Sequence, residues 1–194
     1  MKNNITIVAI MVGATLLSKI VSADEQTDAF FRSLPDYEEF ACSVEVIQYS
    51  DFDTTENDGF IAWSGERFFA RFGDDFFLRD STGEFLVWSE GSDAMPTEEP
   101  FLFGNFRHLK SVLEEKYRLK AQKSDGGQIL MAMAKSEGNP IVKISLEIDR
   151  KGNLKKLILK DSVDIETVVI FTGQLKEIPD KSIFSLPTGV DVVR

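Results

Sequence analysis

The stretch Gly59–Glu90, GFIAWSGERFFARFGDDFFLRDSTGEFLVWSE, holds seven of the sixteen Phe and both Trp of the chain in 32 residues. Ser64-Gly65, Gly73-Asp74-Asp75 and Ser81-Thr82-Gly83 interrupt it about every 8–10 residues, a spacing that predicts an antiparallel meander of short hairpins. Phe60, Ile61 and Trp63 crowd one piece, and Phe85, Leu86, Val87 and Trp88 another. Such strands are apolar on both faces, whereas a sheet with one solvated face needs apolar residues on one side only. They require cover on both sides, or an apolar cavity on one. Fourteen of the sixteen Phe lie between Phe30 and Phe106. An ordinary core and an apolar ligand pocket both account for that concentration.

Strand patterns continue on either side. Asp24–Leu34 reads as a short helix with Ala29, Phe30 and Leu34 on one flank and Pro35 as its stop. Phe40–Phe52 alternates as a half-buried strand, and Glu56-Asn57-Asp58-Gly59 reads as the turn after it. Gly91–Glu99, with Pro96, reads as a loop. Pro100–Lys116 carries Phe101, Leu102, Phe106, Leu109, Val112 and Leu113 at helical spacing. Five more strands are predicted over 117–123, 128–135, 141–150, 154–162 and 165–175, separated by Gly- and Asn-rich turns. One helical turn is expected over 179–183, and an extended segment from Phe184 to Val193. About ten or eleven strands, with few helices and no βαβ alternation, predict a mainly β fold with some α. A single large, strongly curved antiparallel sheet or partial barrel fits that count.

The N-terminus reads as an export signal. Lys2 precedes an apolar run from Ile5 to Leu17, and Val21-Ser22-Ala23 fits the small-x-small cleavage rule. The run is shorter than a membrane span needs. The expected organisation is a signal peptide over 1–23 and one domain over 24–194. No Cys stands at the cleavage point, so the exported chain is expected outside the cytoplasm without a lipid anchor of its own. Cys42, the only cysteine, reads as a small buried hydrophobe. Removing Lys2 and Lys19 leaves 20 basic against 32 acidic side chains, a net charge of −12 against −10 for the whole chain. That balance argues against nucleic acid and against a polybasic membrane anchor.

Motifs for chemistry are scarce. His108 is the only histidine, with no nucleophile elbow to accompany it. One His and one Cys make a poor transition-metal set. Asp74-Asp75 and Asp80 could suggest paired carboxylates, but Asp74-Asp75 follows Gly73 at a turn, where Asp is favoured for local hydrogen bonds. No phosphate-cradling loop or dinucleotide fingerprint is present. The sequence is therefore read as that of a non-enzyme, with no catalytic residue, no metal site and no cofactor.

Three stretches together resemble the LolA-type periplasmic lipoprotein carrier family. Gly59-Phe60-Ile61-Ala62-Trp63 with Arg67-Phe68-Phe69 is similar to the family's early hairpin. Asp80–Trp88 is similar to its "SDGKTLW" strand, and Phe184-Ser185-Leu186-Pro187-Thr188-Gly189-Val190 to its "F-x-P-P-x-G-V" ending. The resemblance implies an unclosed β-barrel whose concave apolar interior is capped by helices. It implies a monomeric carrier that shields lipoprotein acyl chains, or another lipid, between an inner-membrane releasing complex and an outer-membrane acceptor. The residues expected to line the cavity, one alternating set per strand, are Ile61, Trp63, Phe68, Phe72, Phe76, Leu78, Leu86 and Trp88. Phe101, Phe103, Phe106 and Leu109 are expected on the apolar side of a lid. The family's Arg-Pro pair after the Trp strand falls on Gly65, so Arg67 is the candidate for tying that lid, and no Pro follows it. An envelope protein-binding or sensor module on the same fold is the alternative.

Overall fold

A computed structural model describes residues 23–34, 38–79, 82–97, 109–175, 178 and 180–193. Helix α1 (Ala23–Ser33) leads into β1 (Glu39–Tyr49), β2 (Thr54–Ser64), β3 (Arg67–Phe72), β4 (Asp75–Arg79), β5 (Phe85–Ser89) and β6 (Met95–Thr97). Helix α2 (Leu109–Lys116) is followed by β7 (Tyr117–Ser124), β8 (Gly127–Ala134), β9 (Ile141–Asp149), β10 (Leu154–Asp161) and β11 (Glu166–Leu175). All eleven strands form one antiparallel sheet in the order β6-β5-β4-β3-β2-β1-β11-β10-β9-β8-β7. Two meanders are thus joined by the β1–β11 pair. β6 and β7 stay unpaired to each other, so the sheet is an unclosed half-barrel, as expected.

Two local readings change. The segment 56–59 is not a turn, because β2 runs unbroken from Thr54. The chain reverses earlier, at 50–53, where Ser50 N–H and Oγ both donate to Asp53 O (2.9 and 3.1 Å) and Asp53 N–H donates back to Ser50 Oγ (3.1 Å). Met95–Thr97, read as loop, is a three-residue edge strand. Pro96 sits opposite Leu86 there, and an edge is where a strand tolerates a residue without an N–H. His108, Asp80 and Phe101, Phe103 and Phe106 lie outside the described residues.

The two-sided apolar strands are covered on both sides. The inner face, which carries the helices, holds a continuous core from Phe85 through Phe68, Trp63, Phe40 and Phe171 to Leu146, Leu130 and Tyr117, closed by Phe30 of α1 and Leu109 and Leu113 of α2. α1 rests on β7 and β8 and is tied to α2 by Lys110 Nζ to Asp28 Oδ1 at 2.8 Å. Asp24 and Glu25 occupy its first turn, where carboxylates suit the positive helix end.

The outer face of β1–β5 is covered by the C-terminal segment. Ile178 and Phe184 pack on Ala41 and Ala62, and Leu186, Val190 and Val192 pack against Leu78, Leu86, Trp88 and Ala94. A 3-10 turn (Lys181–Phe184), capped by Asp180 Oδ1 accepting from Ser182 N–H at 2.8 Å, stands where a helical turn was expected. Beyond it the segment is not extended throughout, because it turns at 187–190, where Val190 N–H donates to Pro187 O (3.2 Å) and Gly189 takes φ +93°. It then reaches β6, where Ala94 N–H donates to Asp191 O (2.8 Å) and Val193 N–H donates to Ala94 O (2.9 Å).

An ion pair anchors this segment. Lys181 Nζ donates to Glu39 Oε1 at 2.6 Å and Ser64 Oγ donates to the same carboxylate at 3.1 Å. The Lys181 hydrogen bond first, then that of Ser64, holds the Glu39 carboxyl below its ordinary value of 4.5. A depressed carboxyl stabilises the fold above that value and loses the contribution as pH falls through its lowered folded value. Acidification below 4.5 is therefore expected to loosen the segment before the sheet. NMR signals of the Ala94 and Val193 amides should shift ahead of those in β8–β10, and Glu39→Gln should remove that early step.

Candidate functional site

The inner face is not uniformly filled. At the end of the sheet where β1 leaves and β2 enters, a cleft of about 360 Å³ is lined by Val46, Gln48, Thr55, Asn57, Phe72, Asp75, Phe77, Thr167 and Val169. Alternation brings these together. Val46 pairs with Val169 across β1–β11, Asn57 with Val46 across β1–β2, and Phe72 with Asp75 across β3–β4. Val46, Phe72 and Phe77 are only half-buried, so the cleft is an apolar floor with a polar rim. The Phe72 and Phe77 rings lie 5.9 Å apart at 59°.

Gly59 fixes the pose of Phe72. A Cβ there would stand 2.7 Å from Arg71 O, 2.7 Å from the Phe72 ring and 2.9 Å from Val44. Bare backbone at Gly59 lets the Phe72 ring lie across β2. Gly73, at φ +57°, makes the tight β3–β4 turn that Phe72 precedes.

The eight expected lining residues divide into three groups. Phe72 lines the cleft. Ile61, Trp63 and Phe68 share its face but are packed as core, Trp63 at 6% exposure and Phe68 at 1%, with Trp63 stacked on Phe40 at 4.2 Å. Phe76, Leu78, Leu86 and Trp88 are on the outer face beneath the C-terminal segment, Phe76 stacked on Trp88 at 5.3 Å. The reason is register. The two-residue turn at 73–74 pairs Phe72 with Asp75, so Phe77 and Arg79, not Phe76 and Leu78, share the face of Phe68 and Phe72. Val46, Phe77 and Val169 were not among the expected lining residues. The turn length could have given Phe77, but nothing local places β11 beside β1.

Leu109, the described member of the expected lid set, is buried in the inner core. Arg67 stands on the outer face, its guanidinium 4.9 Å above the Phe184 ring and Nη2 3.5 Å from Ser64 Oγ. Among the described residues it therefore holds the C-terminal segment. Cys42 is buried in the inner core, and burial pushes its thiol above the ordinary value, the state of an unreactive thiol.

A second cleft of about 400 Å³ between α1, α2 and β7 is polar, lined by Asp24, Thr27, Asp28, Glu114, Tyr117, Leu119 and Lys135. Among the described residues no three His, Cys, Asp or Glu side chains cluster as a metal site requires, and no helix is long and apolar enough to cross a membrane.

No protein-family model matches the chain, and no curated protein matches it. Solved structures do. An uncharacterised conserved protein from Thermus thermophilus superposes with a TM-score of 0.53 at 11% identity, over 89% of this chain and 98% of that one. The likeness is one of fold. A LolA superfamily protein from Nitrosomonas europaea (TM-score 0.45, 11% identity, 84% of this chain and 97% of that one) also aligns. So does a candidate outer membrane lipoprotein-sorting domain from Vibrio parahaemolyticus (TM-score 0.46, 10% identity, 84% and 97%).

Proposed function

We propose that this protein binds an acyl chain or similar apolar ligand in the cleft between β1, β2, β3, β4 and β11, and carries it through the periplasm toward the outer membrane. The observation that supports this most is the unfilled apolar floor of Val46, Phe72, Phe77 and Val169 on the inner face. Each CH₂ moved from water onto such a floor is worth about 0.8 kcal/mol. Binding therefore needs apolar area and no chemistry, and the reading assigns no catalytic residue. The volume is at the small end for ligand pockets, which suits one chain better than several. Native mass spectrometry of the protein purified from its own cell envelope tests the reading. A bound lipid or lipopeptide mass is expected, and a uniformly empty protein that also takes up no added fatty acid would refute it.

A second reading, a module that docks another envelope protein, is favoured by one feature. Phe52 is 98% exposed at the β1–β2 tip, and Val163 is 71% exposed at the β10–β11 tip, on hairpins that end at the same edge of the sheet as the cleft. An exposed Phe flanked by Asp51 and Asp53 is the form of an anchor for an apolar pocket with a basic rim. An empty protein recovered with one stoichiometric partner, lost on Phe52→Ser, would favour this reading over the carrier.

A further inference from the structure

We propose that the outer face of β7–β10 is a docking surface for an anionic lipid bilayer. Composition argues against a polybasic anchor, but sheet register gathers onto this face basic residues that are far apart in sequence. Arg118, Met133, Lys143 and Lys160 form one row across β7, β8, β9 and β10. Lys120, Met131, Ser145 and Ile158 form the next, and Gln122, Ile129, Glu147 and Lys156 the third. Five basic side chains thus face two acidic ones, Glu147 and Asp149, in a chain whose net charge is −10.

Fold stability does not account for the arrangement. Lys143 sits directly opposite Lys160 and two strands from Arg118, and like charges across a strand pair are destabilising. Lys160 pairs with Asp164 at 2.8 Å, but Arg118, Lys120, Lys143 and Lys156 make no ion pair among the described residues. Arg118, Lys120 and Lys143 are exposed, and Met133 is 50% exposed between two of them. The C-terminal segment covers the outer face only over β1–β5.

The chemistry favours a bilayer. The rows span about 15 Å across four strands on the outer, convex side of the sheet, a shape that can rest on a lipid surface but encloses no groove. Long Lys and Arg stems let the charges reach headgroups while Met131, Met133 and Ile158 meet the acyl boundary. Glu166, Glu45, Glu56 and Asp58 occupy the same face on β11, β1 and β2, so only the β7–β10 side is drawn to a negative plane. This inference does not depend on a ligand in the cleft.

Co-sedimentation of the protein with phosphatidylglycerol/phosphatidylethanolamine vesicles, and with phosphatidylcholine vesicles, tests it. Pelleting is expected with the first at low salt, release at high salt, and none with the second. Each basic residue near an anionic surface contributes roughly fivefold. The neutral double variant Lys120→Gln/Lys143→Gln should therefore weaken pelleting about twentyfold, and the double reversal Lys120→Glu/Lys143→Glu by a larger factor. Lys151→Glu, at an exposed hairpin tip, should have little effect, and thermal melts of all variants check the fold. Failure of the wild type to pellet with anionic vesicles overturns the proposal, as does pelleting of both double variants equal to that of the wild type. Retention on polyglutamate without vesicle binding overturns it too and assigns the face to an acidic protein.

Discussion

Trp63→Ala is expected to cost about 3–5 kcal/mol of folding stability and to leave ligand affinity of the folded protein nearly unchanged. Trp63 is buried, stacked on Phe40, and continuous with the core that runs to α1 and α2. Truncation removes a large apolar side chain and leaves a cavity that neighbouring strands, held by their ladders, close only in part. The ring pair accounts for about 0.5–1.5 kcal/mol of that total. Against a typical total of about 5–15 kcal/mol this is a large share, so urea unfolding should show a much lower midpoint. If Trp63 instead lined an open ligand site, its removal would cost little stability and weaken binding of a fluorescent fatty-acid probe.

Phe72→Glu is expected to do the reverse. Phe72 is half-buried, lies across Gly59 and forms the cleft floor with Phe77. A carboxylate in its place keeps contact with water, so the sheet should lose only about 1 kcal/mol. An acyl chain on that floor would have to desolvate the charge or leave the site, a penalty of about 2 kcal/mol or more. Probe affinity should fall at least about thirtyfold. Phe76→Glu is the matched comparison, on the opposite face. Its ring is stacked on Trp88 under the C-terminal segment, so the expected loss is of stability, with probe affinity retained by the folded fraction. Equal probe binding by wild type and Phe72→Glu would remove the cleft from the functional reading.

These two residues show how far local pattern reaches. Within the Gly59–Glu90 meander, the turns at 65, 73 and 83 and the apolar crowding on both faces were legible because turn chemistry and side-chain alternation are properties of a few adjacent residues. The same information contains the face assignment, since a two-residue turn at 73–74 forces Phe77 to join Phe72. Phe76 and Leu78 lie one residue out of step with Phe72, and in a strand one residue exchanges every side chain between faces. The segment 56–59 was misread for a related reason. Asn57, Asp58 and Gly59 have turn chemistry, but they pair with Val46, Glu45 and Val44, and Gly59 is needed for room under Phe72.

What the sequence alone determined is the material of the fold: about ten or eleven short antiparallel strands, a short N-terminal helix, a helical insert ahead of residue 117 and a helical turn near residue 181. The tertiary structure decided how that material is used. The β1–β11 pairing, between segments near opposite ends of the domain sequence, builds the cleft from Val46 and Val169. The return of the C-terminal segment over β1–β5 turns half of the aromatic stretch from candidate cavity into buried core. The register of β7–β10 collects basic residues that an acidic composition conceals. In each case the deciding contact is long-range. Its free energy comes from burial and charge placement between segments that no local window contains together, so it appears only when the whole sheet is assembled.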